Sequence, residues 1–297
     1  MPSATVPVRT AASSPLAYAR DLVLLSKPRL SGLVMLTTAG GLGLAPGRIG
    51  VARALLTILG TAAVVGAANA LNCYMEREID GRMRRTRDRP LPAGRVEPFV
   101  ALALGLMMPA FALPVLALVA TPLTALLAFV AIVSYVAVYT PMKQRSTLAL
   151  FVGAVPGAIP PLLGWTAVTG RLDAGGIALF LLLFAWQLPH FLAISIYLAE
   201  DYARGGLKVF ALVHGERVTR AWIAVTTAAL VPVSLALVPL GLAGPGYAAI
   251  AGLAGAALAA FALSGVGKEG GRWARNLFLA TLAHLTALFV ALLLLPR

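Results

Sequence analysis

Long apolar stretches separated by short polar segments are the dominant pattern of this chain. Nine of them approach the ~20 residues that a helix needs to cross a hydrocarbon core. They run over 30–47, 52–73, 98–118, 121–140, 147–168, 175–198, 220–241, 245–265 and 273–295. Backbone groups inside lipid must be satisfied within the segment itself, so the pattern predicts an all-α, polytopic helical bundle. The fifth stretch carries GAVPGAIPPLLGW (153–165). Proline is tolerated in a membrane helix where neighbouring groups satisfy the backbone, so this stretch is expected to kink or to pack closely.

Composition strengthens the same reading. Of 297 residues, 60% are hydrophobic and 12% charged, whereas soluble domains average about a quarter charged. Residues 1–20 are small and polar, and lack the apolar core of a signal peptide. Residues 1–24 are expected to be a disordered cytosolic tail, and 25–297 one transmembrane domain. The single cysteine, Cys73, excludes an intrachain disulfide and is read as a small buried residue.

Charge then orients the bundle. With the N-terminus inside, 20 of the 24 Lys and Arg fall on inside segments; Arg48, Arg53, Arg171 and Arg297 fall outside. That bias predicts N-terminus in and C-terminus out. It also accounts for the net charge of +13 without nucleic-acid binding. Of eleven acidic residues only Asp173 falls outside. Orientation rules say little about acids, so their pile-up on the inner face points to function there.

The chemistry concentrates at the end of the second stretch, in NCYMEREIDGRMRRTRDRPLPAG (72–94). Asn72, Glu76 and Asp80 lie four apart. On a helix they drift only about 40° per step and so share a face. Arg85 and Arg89 follow, with Arg82, Arg84 and Arg87 between. Oxygen ligands suited to a divalent cation, beside guanidinium groups suited to phosphate, make a candidate diphosphate site. The arginines alone would serve equally as a topology anchor. Two further segments stand out. YTPMKQRST (139–147) ends the fourth stretch with Tyr139, Lys143 and Arg145. FAWQLPHFLAISIYLAEDYARGG (184–206) carries Trp186, Gln187 and His190 inside a span and Glu200, Asp201 and Tyr202 at its end. His214 reads as a surface histidine, and His284 as a buried polar contact one to two turns from Asn276.

The pattern N-x3-E-x2-I-D-x2-M-x-R-T-x2-R-x4-G, from Asn72 to Gly94, resembles the signature of the UbiA-type intramembrane prenyltransferases. The family's usual first acid is Asp, so Glu76 departs from it. The segments W-Q-x-P-H-F … D-Y-x-x-G and YTPMKQRSTLALFVGAVPGAIPPLLGW are similar to the branch that farnesylates heme. Glu200, Asp201 and His190 stand where the quinone and chlorophyll branches carry a second Asp-rich motif. The resemblance covers residues ~25 to 290.

It implies transfer of the farnesyl group of farnesyl diphosphate to the 2-vinyl group of heme B, giving heme O and diphosphate with addition of water. Asn72, Glu76 and Asp80 would hold one Mg²⁺, and Asp201 with Glu200 a second. Arg85, Arg89, Lys143 and Arg145 would neutralise the leaving group, and Tyr139, Trp186, His190 and Tyr202 would contact substrates. His190 is the candidate for the heme, as iron ligand or propionate partner. The implied setting is the bacterial inner (plasma) membrane, with the site on the cytoplasmic side and heme A synthase or terminal oxidase assembly downstream. The alternatives are a prenyltransferase for an aromatic quinone precursor, a transporter or channel, and a metal-dependent phosphatidyltransferase. A transporter would need ionisable groups at mid-membrane depth, where only His190 and His284 qualify.

Overall fold

The computed structural model describes residues 14–268 and 270–295, and among these there are helices and turns but no strand. Twelve helices follow one another: α1 Pro15–Leu25, α2 Pro28–Leu44, α3 Val51–Arg82, α4 Pro98–Val119, α5 Pro122–Met142, α6 Ala149–Thr169, α7 Ala174–Tyr197, the short α8 Ala199–Arg204 and α9 Phe210–His214, then α10 Glu216–Leu235, α11 Pro245–Leu263 and α12 Gly271–Leu294. Eight of these are long and apolar enough to cross a membrane. The first of the nine expected spans is shorter, with its apolar part at Leu30–Leu44. The chain is therefore a polytopic helical membrane protein.

Proline starts α1, α2, α4 and α11 within their first turn, where its missing N–H has no helical partner to lose. Successive long helices pack side by side, α3 on α4 and α6 on α7, and α12 returns to α7 and α2, which closes the bundle. Helix α6 sits innermost, with 72% of its apolar stretch buried. Its prolines, Pro156, Pro160 and Pro161, leave it unbroken. The expected close packing is what occurs. A Cβ on Gly41 of α2 would lie 1.9 Å from the Pro161 carbonyl oxygen, and one on Gly164 would lie 2.0 Å from the Thr38 carbonyl oxygen. Small residues thus let two backbones touch where lipid provides no hydrophobic drive between helices. Gln187 of α7 donates to the Ala154 and Leu183 carbonyls, both at 3.1 Å, and so links α6 to α7.

Two findings differ from the sequence reading. The part of the expected tail at residues 1–13 lies outside the described residues, but Pro15–Leu25 forms a helix. Buried Asp21 holds it, accepting both Arg95 Nε at 2.9 Å and Nη2 at 3.1 Å from the loop after α3. The second concerns His284. Both of its ring nitrogens are buried without a hydrogen bond, and Asn276 is exposed, so the contact expected between them does not form.

Helix α3 positions the functional face. Its 32 residues extend about 48 Å, well beyond the ~30 Å of hydrocarbon. The last three turns therefore carry Asn72, Glu76 and Asp80 toward the end where α5 and α7 also finish. Helix α5 widens into a π-helical segment at Ser134–Tyr139 before its last turn. Such segments re-aim side chains and often occur at functional sites. Here the register change delivers Thr140 and Lys143 to α3, while the Tyr139 ring lies against Gly153 of α6.

Candidate active site

Asn72, Glu76 and Asp80 are all buried, at 1%, 6% and 1% exposure, on one face of α3. Each meets a different cation. Lys27 Nζ donates to Asn72 Oδ1 at 2.7 Å. Lys143 pairs with Glu76 Oε1. Arg89 Nη1 donates to Asp80 Oδ2 at 2.7 Å. Asn72 Nδ2 ties the row together, donating to Glu76 Oε2 at 2.9 Å and to Thr140 Oγ1 at 3.2 Å. Three hard oxygen donors on one helix face, two of them carboxylates, suit a divalent cation with oxygen preference. The donor set therefore fits Mg²⁺.

Lys27 and Thr140 were not legible as site members. Lys27 reads in sequence as one more inside charge. The structure holds it with φ at 51°, the one non-glycine residue in the left-handed region among the described residues. That conformation costs about 1 kcal/mol or more, and it directs the ammonium inward. Burial pushes the Lys27 pKa down to about 8. Burial also works against the Arg89 guanidinium, but the Asp80 carboxylate outweighs it and the pKa rises above the ordinary arginine value. The signal for Lys27 was the Lys-Pro pair: proline restricts the residue before it, and a polar side chain there opens the first span.

The loop 83–95 is built to present arginines. Thr86 Oγ1 donates to the Asp80 carbonyl at 2.8 Å and closes the end of α3. Asp201 accepts the Arg84 N–H at Oδ1, 2.7 Å, and the Arg85 N–H at Oδ2, 3.2 Å. Asp201 therefore acts as an anchor for that backbone, with Arg204 also beside it at 3.5 Å. Glu200 stands apart from this cluster: its side chain is 90% exposed and pairs with Arg204 at 3.4 Å. The two acids expected to form a second metal site thus diverge, one inward onto a loop and one outward. Among the described residues no group of three or more acidic, His or Cys side chains gathers. Arg85 and Arg145 are exposed at this end of the bundle.

Beside the row lies an open cavity of about 170 Å³ lined by Tyr139, Lys143, His190, Ile194, Tyr202 and Phe210, among others. Lys143 belongs both to this wall and to the acidic row, so the two share a boundary. Its ammonium also sits 4.9 Å from the Tyr139 ring centre. Burial raises the Tyr202 pKa, so its hydroxyl stays protonated. Trp186 does not line the cavity; it stacks on His190 with ring centres 4.7 Å apart. His214 is exposed and meets Thr147 Oγ1 at 3.2 Å.

A ring of membrane helices, with an asparagine–carboxylate row and cations at one end of an apolar cavity, defines a class of intramembrane transferase. The chain belongs to the UbiA prenyltransferase family, whose pattern matches residues 34–293. It is 76% identical to the protoheme IX farnesyltransferase of Anaeromyxobacter sp. (strain Fw109-5), over 99% of both chains. It is 50% identical to the enzyme of that name from Myxococcus xanthus (strain DK1622), over 92% of this chain and 94% of the other. The fold is also that of digeranylgeranylglyceryl phosphate synthase, with TM-score 0.78 at 14% identity over 93% and 97% of the two chains. It is shared by a UbiA homologue from Archaeoglobus fulgidus bound to GPP and Mg²⁺, TM-score 0.64 at 14% identity over 92% and 99%. Family membership sets aside the transporter and phosphatidyltransferase alternatives.

Proposed function

We propose that this protein transfers the farnesyl group of farnesyl diphosphate to the 2-vinyl carbon of heme B, with addition of water, giving heme O and diphosphate. The observation that carries the reading is the buried row of Asn72, Glu76 and Asp80, faced by Lys27, Lys143 and Arg89. The 76% identity to a protoheme IX farnesyltransferase supports the choice of substrates.

The difficulty of the reaction is a leaving group with about three negative charges, released next to lipid. Asn72, Glu76 and Asp80 would hold Mg²⁺, which supplies charge neutralisation on the departing diphosphate. Two buried carboxylates against three half-buried cations leave this cluster positively charged before any metal binds. Lys27 and Lys143, which face Asn72 and Glu76, would supply positive charge to the phosphate oxygens of the leaving group. Arg85 and Arg145, exposed at the same end, would complete the neutralisation. Asp201 acts by fixing the loop that carries Arg85 and Arg89 rather than as a second metal ligand.

The cavity would take the reacting end of the prenyl chain and an edge of the acceptor, and keep water from the allylic cation until the vinyl carbon attacks. No protein nucleophile is required, because the vinyl group is the nucleophile. Tyr139 and Tyr202, both on the cavity wall, would contact the substrates. The site would open to the cytoplasmic side of the inner membrane, in agreement with the inside bias of the charges. The product would pass to heme A synthase or terminal oxidase assembly.

The test is direct. Membranes or purified protein should convert heme B and farnesyl diphosphate to heme O, read by mass spectrometry, and only with Mg²⁺. Activity that persists undiminished in excess chelator would sink the metal assignment; farnesylation of an aromatic acid in place of heme would sink the acceptor.

A further inference from the structure

The histidine on the cavity wall has a hydrogen-bond arrangement that decides which of its nitrogens is available. His190 Nδ1 lies 2.8 Å from Thr281 Oγ1. The Thr281 hydroxyl is also 2.7 Å from the Phe278 carbonyl, to which it donates. A hydroxyl has one proton. If it goes to the carbonyl, Thr281 accepts from an Nδ1–H and both short contacts are hydrogen bonds. If it goes to Nδ1, the second contact is lost, at a cost of about 1 kcal/mol. The first arrangement leaves Nε2 as a lone pair.

The ring has little freedom to turn away from this state. It is sandwiched between Trp186, 4.7 Å away at 24°, and Phe278, 4.5 Å away at 29°. Trp186 in turn donates its indole N–H to the Thr281 carbonyl at 2.7 Å, so the same residue is fixed from two sides. With Nδ1 engaged, Nε2 is the nitrogen left for the cavity that His190 lines. An Nε2 lone pair cannot donate to a propionate, but it can bind a metal.

We infer that His190 coordinates the iron of the acceptor porphyrin through Nε2, and that Thr281 is the positioning residue that fixes this tautomer. A ligating histidine generally donates its second N–H to an oxygen, which orients the ring and raises its basicity. Thr281 supplies that oxygen. Ligation would hold the porphyrin on the wall that also carries Lys143, so its edge can face the end where the diphosphate leaves.

The inference rests on heme being the acceptor, and one experiment separates the two. Purified full-length protein in nanodiscs is titrated with heme B and with metal-free protoporphyrin IX, by absorption and fluorescence. His190→Gly should weaken heme at least about tenfold, leave the metal-free porphyrin unchanged, and regain the nitrogen-ligated spectrum when imidazole is added. Equal weakening of both porphyrins, or no weakening of heme, overturns iron ligation. Failure of the unaltered protein to bind either porphyrin overturns the acceptor reading as well. A second measurement does not depend on the folding of the glycine variant. In the ferrous complex, Thr281→Val should lower the iron–histidine stretching frequency and Thr281→Ser should restore it. An unmoved band in Thr281→Val overturns the tautomer assignment.

Discussion

Two buried charged clusters sit in this bundle, and they are built in opposite ways. One is the Asn72–Glu76–Asp80 row at the end of α3. The other is Arg220 at the start of α10, which is completely buried. Its guanidinium pairs with Glu216 and donates to the Gly265 carbonyl at 3.0 Å and the Gly270 carbonyl at 2.8 Å. Its face lies 4.5 Å from the Trp273 ring centre. Glu216 also accepts the Gly270 N–H at 3.1 Å. That cluster is one cation to one anion, bonded into the loop between α11 and α12. The α3 row carries more cations than anions, spread over side chains from four segments, and borders a cavity. Burial of charge alone therefore does not mark a functional site. Charge left unbalanced beside open space does, because a ligand must complete it.

Substitutions should sort the clusters by what they damage. Asp80→Asn removes charge from the row while keeping its shape. It should lower turnover by at least ~10³-fold, roughly 4 kcal/mol of barrier, with thermal unfolding near that of the parent protein. An active Asp80→Asn variant would remove the metal ligand role. Arg220→Met should do the reverse. It leaves Glu216 unpaired and the α11–α12 loop untied, at a cost of about 3 kcal/mol, read as a fall in the unfolding temperature. Turnover per folded molecule should stay near the parent value; a specific loss of turnover would break the contrast. Lys27→Met should have the smallest effect, raising KM for farnesyl diphosphate about tenfold, or 1.4 kcal/mol, with kcat changed less. Because it removes an ammonium held out of water, its stability should not fall. A KM that does not move would return Lys27 to the status of a topology charge.

Much of this was legible along the chain. Eight of the nine apolar stretches correspond to helices long enough to span and the first to the shorter apolar helix Leu30–Leu44, because length and apolarity are local properties that lipid selects for directly. The Asn72, Glu76, Asp80 face was readable because four-residue spacing on a helix is also local. The pairing of Glu200 with Asp201 was not. Adjacent residues point in different directions around a short helix, so one reached the loop and the other the surface. Thr140 and Lys27 entered the site from segments 68 and 45 residues away from Asn72. The first depends on a π-helical register and the second on a left-handed residue before proline, and neither has a periodic signature.

The sequence by itself determined the membrane class, the helices, the oxygen-rich face of α3 and the family to which that face belongs. The first three follow from composition and short-range periodicity, which act before any two helices meet, and the family from the resemblance of the Asn72–Gly94 pattern to its signature. Only the tertiary structure decided which cation faces which acid, that Asp201 holds a loop, and that Thr281 turns His190 toward the cavity with a lone pair. Those outcomes depend on contacts between distant segments, where a single hydrogen bond of about 1 kcal/mol selects between side-chain states that the sequence leaves equivalent.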